Sequence, residues 1–141
     1  MTDRQVLVDE LVRDEGIRLV VYLDPIGIPT IGVGRNLRDR GISRAEAFML
    51  LDHDLDECIT DLAGFPWFVG LDSVRQRAIV NMRFNLGPAR FRGFRRMLTA
   101  LAAGDYVTAS HEMLASDWAT QVGRRADRLA RMMLTGQVDA R

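Results

Sequence analysis

The sequence predicts an α+β fold: several helices with one small sheet. Helical spacing of apolar residues, punctuated by capping residues and glycines, recurs along most of the chain. The stretch richest in β-branched and aromatic residues lies between positions 18 and 33, around a proline-glycine turn. With 141 residues and no repeat or long linker, the chain has the length of about one domain. Such a chain buries roughly two thirds of its unfolded surface.

The first predicted helix runs from about Asp3 to Glu15. Thr2 and Gln5 have the spacing of a capping box, and apolar residues then recur at helical spacing as far as Leu11. Glu15 lies four residues beyond Leu11 on the same apolar stripe, and a glycine follows it. We therefore expect the Glu15 carboxyl group to point toward the core and to be partly desolvated.

Two strands are predicted next, over residues 18–23 and 28–33. Between them, Asp24 to Gly27 matches a type I turn with Asp first and Pro second. Pro29 has no N–H to donate, which predicts that the second strand is an edge strand or is paired on one side only. Gly32 and Gly34 indicate close approach by a ligand or by another backbone.

The remaining chain is predicted to be helical between short breaks. Residues 35–41 are charged and are predicted to be irregular. Ser43 and Glu46 have capping-box spacing, and Asp72 is a candidate N-cap for a later helix. The predicted helices cover residues 44–63, 73–86, 94–103, 105–115 and 124–134, with a short turn near Asp117 and Trp118. The helix at 44–63 is expected to bridge the two halves of the chain.

Composition excludes several classes of site. The single cysteine, Cys58, cannot form an internal disulfide and lies on an apolar stripe, so we expect it to be buried. His53 and His111 are isolated, so we expect neither a metal site nor a cofactor. The N-terminus lacks the apolar core of a signal peptide, and no segment reaches the about 20 apolar residues of a membrane span. We therefore expect cytoplasmic synthesis without stable membrane insertion.

An arginine-rich segment lies between Asp72 and Met97. Every basic residue of the chain is Arg, and the 19 basic residues balance 19 acidic ones. The segment is interpreted either as a solvated face or as a basic face for an anionic polymer. No nucleic-acid motif accompanies it, so nucleic acid is not an expected partner. Its members are Arg75, Arg77, Arg83, Arg90, Arg92, Arg95 and Arg96.

Aromatic residues cluster just before this segment and again near the C-terminus. Phe65, Trp67 and Phe68 are interpreted either as an edge on which sugars stack or as core packing at a junction. Core packing is the preferred interpretation for these three residues and for Trp118.

Three polar residues form a candidate catalytic group. Cleavage of a glycosidic bond needs a protonated acid and a second carboxylate that activates water or attacks directly. Glu15, on an apolar stripe, suits the acid, and Asp24, in a solvated turn, suits the carboxylate. Thr30 is placed to hold a water against Asp24. Each residue also has a structural explanation: a solvated helix-end charge, turn chemistry and β-propensity, respectively.

The stretch EGIRLVVYLDPIGIPTIGVG contains all three residues, and it resembles the active-site segment of the phage-type (T4-like) lysozymes of glycoside hydrolase family 24. Glu15, Asp24 and Thr30 have that family's order, with eight and then five residues between them. Residues 72–87 are similar to the family's central helix, and residues 116–128 to its C-terminal Trp and Arg-rich signature. The resemblance covers nearly the whole chain.

The resemblance implies a role for each matching residue. Glu15 is implied as general acid, Asp24 as base or ion-stabilising carboxylate, and Thr30 as the residue that positions water. Phe84 and Asn36 are implied to bind substrate. Arg125 matches an arginine that pairs with the catalytic Glu. Arg35 departs from the family pattern by replacing a His, and Asp54 matches that residue's acidic partner, which implies an ion pair between Arg35 and Asp54.

The resemblance also implies an architecture. It is a single lysozyme-like domain over residues 1–141, with the active site in a cleft between a small β-hairpin lobe and a larger helical lobe. The hairpin lobe is placed at about 16–42, the helical lobe at 1–15 and 72–136, and the connecting helix at 44–63.

The implied function is that of a monomeric phage or prophage endolysin. It would hydrolyse the β-1,4 bond between N-acetylmuramic acid and N-acetylglucosamine in bacterial peptidoglycan. Reaching the wall would require a holin or an equivalent. Two alternatives remain: a lytic transglycosylase acting on the same bond, and a non-catalytic module that binds wall or nucleic acid through the arginine-rich segment.

Overall fold

The computed structural model describes residues 3–138 and confirms the α+β class. Within this part of the chain, three strands form one antiparallel sheet and eight helices account for most other residues. The strands are β1 (Arg18–Leu23), β2 (Pro29–Gly32) and β3 (Arg35–Asn36). The helices are α1 (Arg4–Glu15), α2 (Arg44–Leu62), α3 (Ser73–Leu86), α4 (Pro88–Arg92), α5 (Arg95–Ala102), α6 (Tyr106–Leu114), α7 (Asp117–Val122) and α8 (Arg124–Thr135).

The sheet has the order β1-β2-β3, so β2 is its central strand. Leu23 pairs with Pro29 on one side, while the carbonyl of Pro29 accepts a hydrogen bond of 2.9 Å from the Leu37 N–H on the other. The prediction of an edge strand is therefore wrong. Proline lacks only the donor, and as first residue of β2 it leaves the later donors of the strand free for pairing. The third strand lies within the segment predicted to be irregular.

The chain forms two compact units, and the boundary between them follows Leu50. The first contains α1, the sheet and the start of α2, and the second contains the rest of α2 and all later helices. The helix α2 therefore contributes residues to both units. Its predicted apolar stripe is buried only at the C-terminal end, at Cys58 and Leu62, whereas Phe48 is exposed.

The second unit contains a continuous apolar core. Every helix from α2 to α8 contributes at least one large, fully buried side chain to this core. The largest are Trp118, Phe91, Leu62, Ile79, Met82, Met97, Leu101, Met113, Leu129 and Met133. Phe68 belongs to this core, and Phe65 and Trp67 pack against it. Core packing is thus the correct interpretation of these aromatic residues.

Capping bonds form at two of the helix starts for which the sequence predicts them, those of α2 and α3. The Asp72 carboxylate accepts a hydrogen bond of 2.9 Å from the Arg75 N–H at the start of α3. Ser43 and Glu46 form the predicted capping box: the Ser43 hydroxyl accepts from the Glu46 N–H, and the Glu46 carboxylate accepts from the Ser43 N–H. At α1 the N-cap is Asp3, whose side chain makes no capping bond. The predicted capping role of Thr2 lies outside the described residues.

The arginine-rich segment is not a uniform basic face. Asp61 binds both Arg83 and Arg92, at 2.8 and 2.6 Å, and the hydrogen bonds from these two arginines lower the pKa of Asp61 to about 2. Arg75 donates to the carbonyls of Met133 and Leu134 at the end of α8. These three arginines are structural, because each is bound to an acceptor within the fold.

Cys58 is buried, as predicted, and burial raises the pKa of its thiol. Within residues 3–138, no His, Cys, Asp and Glu side chains gather into a group able to hold a metal ion. No helix of that same range is long and apolar enough to span a membrane.

Candidate active site

Glu15 is the last residue of α1, and its side chain lies against the backbone at Gly34. The N–H of Gly16 donates to the Val12 carbonyl at 2.8 Å and closes the helix, with Gly16 at a φ of 74°. A Cβ atom built on Gly34 would lie 2.7 Å from Oε2 of Glu15. Gly34 also has a φ of 64°. The absence of a side chain at position 34 therefore makes room for the Glu15 carboxylate.

The expected desolvation of Glu15 is wrong in this structure. Glu15 is exposed, α1 has no buried residue, and Leu11 on the same stripe is 45% exposed. Helical spacing shows which residues share a face, but it does not show whether another element covers that face. The Glu15 carboxylate lies beside the backbone at Gly34 and is not enclosed by apolar residues.

Asp24 is fixed by the main chain of the turn between β1 and β2. Its Oδ1 accepts hydrogen bonds from the N–H groups of Ile26 and Ile28, both at 2.9 Å. The Gly27 N–H donates to the Asp24 carbonyl at 2.9 Å, which confirms the predicted turn. Oδ2 of Asp24 forms no hydrogen bond with any residue that the structure describes. One carboxylate oxygen is therefore held and the other is available.

Thr30 is buried in β2, with 5% of its surface exposed. Its hydroxyl donates a hydrogen bond of 2.8 Å to the Ile28 carbonyl. That same carbonyl accepts from the Asp24 N–H, and the Ile28 N–H donates to the Asp24 carboxylate. The structure thus brings Asp24 and Thr30 together through the backbone of Ile28, a residue that sequence reasoning missed. Backbone groups carry no side-chain signal by which they could have been found.

Asn36 pairs with Thr30 across β2 and β3, but its side chain is bound locally. Its carbonyl oxygen accepts from the Asp39 N–H at 2.8 Å, and its amide nitrogen donates to the Asp39 carboxylate at 3.1 Å. Both ends of the amide therefore stabilise the turn that follows β3.

Arg35 pairs with Glu46 rather than with Asp54. Its two terminal nitrogens lie 3.0 and 2.8 Å from the Glu46 oxygens, and one of them also donates to the Gly41 carbonyl. The hydrogen bonds from Arg35, followed by those from Ser43, lower the pKa of Glu46 to about 2. The predicted pair was wrong because the capping box already holds the Glu46 carboxylate near the start of α2, where Arg35 reaches it.

Phe84 and Arg125 line one open cavity of about 340 Å³ in the second unit. Leu51, Leu55 and Val80 give it apolar walls, and Arg77 and Asn81 contribute polar groups. Arg125 is half-buried and donates from Nε to the Asn81 side-chain carbonyl at 2.9 Å. The Arg125 guanidinium is therefore bound to a neighbouring side chain within a cavity that Phe84 also lines.

Gly34 is a second residue of the site whose role sequence reasoning gave only in part. The close approach predicted at Gly32 and Gly34 occurs at Gly34, and the approaching group is the Glu15 side chain. A Cβ on Gly32 would meet no atom within 4 Å in the described structure. Its φ of 67° accounts for glycine at that position instead.

Comparison with known proteins supplies the family. The chain is 31% identical to the pre-baseplate central spike protein Gp5 of Enterobacteria phage T4, over 95% of this chain and 28% of that protein. It is 26% identical to the probable T4-type lysozyme 1 of Dictyostelium discoideum, over 94% of this chain and 95% of that protein. It is 34% identical to the endolysin of Salmonella phage P22, over 61% of this chain and 64% of that protein.

The chain thus spans less than a third of the spike protein and nearly all of the Dictyostelium protein. The family described as phage lysozyme matches residues 12–133, a range that includes Glu15, Asp24, Thr30, Phe84 and Arg125. The small antiparallel sheet followed by a helical unit is consistent with a lysozyme-like fold. This chain belongs to the phage lysozyme family.

Proposed function

We propose that this chain is a glycoside hydrolase that cleaves the β-1,4 bond between N-acetylmuramic acid and N-acetylglucosamine in bacterial peptidoglycan. The observation that carries the proposal is the pair of carboxylates within the family match: Asp24 is hydrogen-bonded to the backbone of the hairpin turn, and Glu15 lies beside the backbone at Gly34. Two carboxyl groups with separate roles are the minimum for hydrolysis of a glycosidic bond.

In this proposal Glu15 is the general acid. It protonates the glycosidic oxygen as the bond to the leaving sugar breaks. Its contact with the Gly34 backbone limits the positions open to the carboxyl group without covering it, so a substrate can reach the acid.

Asp24 and Thr30 position the attacking water. The hydroxyl of Thr30 donates a hydrogen bond to the Ile28 carbonyl. Toward a water, this hydroxyl therefore acts as a hydrogen-bond acceptor. The free Oδ2 of Asp24 is an acceptor as well. A water that donates one proton to each of these oxygens keeps its lone pairs for attack, and Asp24 takes a proton as the new bond forms.

Three further residues are proposed to support the site. The Phe84 ring gives a sugar an apolar surface. Asn36, whose side-chain amide is bound to Asp39 at both ends, is proposed to bind substrate. Arg125, which donates from Nε to Asn81, is proposed as a supporting residue that carries positive charge.

The proposal is tested by loss of turbidity in a suspension of purified cell walls. The wild type should clear the suspension, and Glu15→Gln and Asp24→Asn should each reduce the rate by at least about 100-fold while retaining the helical circular dichroism signal. Full activity of Glu15→Gln would overturn the assignment of the acid. If the chain were instead a non-catalytic binding module, the Glu15→Gln variant would bind walls as well as wild type does, and both would release them as salt rises.

The biological role that we propose is lysis of the host cell wall at the end of a phage cycle. Peptidoglycan is then the partner, the chain acts as a monomer, and a holin or an equivalent opens the membrane. Similarity to the endolysin of Salmonella phage P22 supports this role.

A second candidate role is wall penetration by a phage particle. The observation that favours it is the 31% identity to the spike protein of phage T4 over 95% of this chain. Mass spectrometry of purified particles distinguishes the two roles. A particle-borne enzyme is recovered in stoichiometric amount with the particles, whereas an endolysin is recovered in the soluble lysate.

A further inference from the structure

We infer that Arg35 and Glu46 are positioning residues for the candidate active site. Neither side chain contacts substrate in this account, and both act through the short strand β3. The effect on catalysis rests on the proposed function. The residues joined by the bonds described below form the Arg35 network: Arg35, Gly41, Ser43 and Glu46.

The Arg35 and Glu46 side chains meet through a forked pair of hydrogen bonds. Nη1 and Nη2 of Arg35 donate to the two Glu46 oxygens, at 3.0 and 2.8 Å. Such a two-point contact between planar groups fixes their orientation as well as their separation. The two side chains are 26% and 35% exposed, so solvent screens this pair less than it screens a fully exposed one.

Each end of this pair is bound to a third group. Nη1 of Arg35 also donates to the Gly41 carbonyl at 3.1 Å, and the Gly41 N–H donates to the Asn36 carbonyl at 3.1 Å. Oε1 of Glu46 accepts from the Ser43 N–H at 2.9 Å as part of the capping box. The strand β3 is thereby bound both to the loop that follows it and to the first turn of α2.

The segment around β3 adjoins two of the candidate catalytic residues. Asn36 pairs with Thr30 across the sheet, and the backbone at Gly34 lies beside the Glu15 carboxylate. Arg35 stands between Gly34 and Asn36 in the chain. A displacement of Arg35 would therefore change both the pairing partner of Thr30 and the space beside Glu15.

Other contacts hold β3 on one side only. It is two residues long and forms the last strand of the sheet, so within residues 3–138 no strand pairs with its outer edge. Arg35 and Asn36 are both half-buried, so deep apolar burial does not fix the strand. The Arg35 network supplies contacts that β2 does not provide.

Loss of the network should reduce kcat more than it raises KM. A displacement of reacting groups by about 1 Å can cost on the order of 100-fold in rate. The network supports the backbone beside the reacting groups, and its own side chains do not bind the substrate. A change in kcat with little change in KM therefore distinguishes positioning of these groups from substrate binding.

Steady-state hydrolysis of a soluble peptidoglycan oligosaccharide at pH 7 tests this role in the full chain. Arg35→Gln and Glu46→Gln should each lower kcat at least about tenfold and change KM by less than about threefold. Gln at position 46 can still accept the capping bond, so this variant removes the charge that Arg35 binds and keeps the cap. The double variant should lose no more than about the larger single loss, because the two residues act as one unit.

Asp61→Asn is the matched control. Asp61 binds Arg83 and Arg92, both of the second unit, so its loss also removes arginine bonds to a carboxylate. This variant should be less stable than wild type and should keep the kcat of wild type once the folded fraction is taken into account. Circular dichroism and urea denaturation give that fraction for every variant.

Backbone NMR spectra supply a readout that does not depend on activity. The amide signals of Gly34 and Thr30 should shift in both network variants and stay unchanged in Asp61→Asn. Unchanged kcat in folded Arg35→Gln would overturn the inference, as would an equal loss of kcat in Asp61→Asn. If wild type hydrolyses no substrate, the proposed function fails, and unchanged Gly34 and Thr30 signals in the network variants would then overturn the positioning role as well.

Discussion

The backbone of Ile28 links two of the candidate catalytic residues, and the backbone at Gly34 lies beside the third. The Ile28 N–H and carbonyl bind Asp24 and Thr30, and the absence of a side chain at Gly34 admits Glu15. The turn at Asp24 was predictable, because Asp, Pro and Gly occupy turn positions that each favours for a separate physical reason. The exposure of Glu15 was not predictable, because the periodicity of apolar residues does not show whether another element covers that face of the helix.

Gly34→Ala should displace the Glu15 side chain. Gly32→Ala is the matched control, because the two glycines have φ values of 64° and 67° and only Gly34 adjoins Glu15. Both variants should lose about 1–2 kcal/mol of unfolding free energy from backbone strain. Only Gly34→Ala should lose wall-clearing activity beyond that expected from its stability. Equal activity in the two stable variants would contradict the role given to Gly34.

The variant Thr30→Val should distinguish two roles of the Thr30 hydroxyl: its hydrogen bond to the Ile28 carbonyl and its proposed hydrogen bond to the attacking water. Loss of its bond to the Ile28 carbonyl should cost about 1 kcal/mol in chemical denaturation, because that carbonyl retains the Asp24 N–H as a donor. Activity should fall on the order of 100-fold, since the water loses an acceptor. Thr30→Ser keeps the hydroxyl and should keep most activity. A fully active Thr30→Val would exclude water positioning by Thr30.

The limits of a helix were predictable where a capping residue marks its start and a glycine marks its end. Short elements were not predictable. The helix α3 has the predicted limits because Asp72 caps its start and Gly87 ends it. The two-residue strand β3 escaped prediction because Arg35 and Asn36 have no β-branched or aromatic character. The helix α4 escaped because Gly87 and Pro88 mark the end of α3, although Pro88 also begins the next helix.

The ion pair between β3 and α2 should make stability depend on pH. Glu46 has a pKa of about 2 in the folded chain against an ordinary 4.5, so its bonds stabilise the fold above pH 4.5. That contribution is lost as the pH falls from about 4.5 toward 2. In urea denaturation, Glu46→Gln should be less stable than wild type at pH 7, and the difference should vanish near pH 2.

Glu10→Gln serves as the control for this pH profile. Glu10 is exposed and makes no side-chain hydrogen bond or ion pair with the rest of the described chain. Its profile should run parallel to that of wild type. A constant difference between wild type and Glu46→Gln at all pH values would contradict the linkage.

Arg75 should stabilise the C-terminal end of α8. It donates to Asp72 and to the carbonyls of Met133 and Leu134, and its guanidinium lies 4.0 Å from the centre of the Tyr106 ring. Arg75→Ala should cost about 2 kcal/mol of unfolding free energy, because two carbonyls at a helix end lose a charged donor. Arg77→Ala, which loses only an exposed bond to Ser73, should change stability by less than about 0.5 kcal/mol.

At the scale of the whole molecule, the composition and periodicity of the sequence were sufficient for the α+β class. The proposed function rests on a different source: the spacing of Glu15, Asp24 and Thr30 and the family match over residues 12–133. Structure adds how the hairpin backbone holds those residues and where unpaired charge remains. Arg83 and Arg95 illustrate the difference, since sequence makes them equivalent and the fold binds only the first to a carboxylate.

The central claim is hydrolysis of a peptidoglycan glycosidic bond by Glu15 with Asp24 and Thr30. Mass spectrometry of the muropeptides released by wild type, beside Glu15→Gln, tests it most directly. We expect wild type to release fragments with reducing N-acetylmuramic acid ends that have gained one water, and Glu15→Gln to release none above background. Anhydro ends would show a lytic transglycosylase, and equal release by Glu15→Gln would contradict the account.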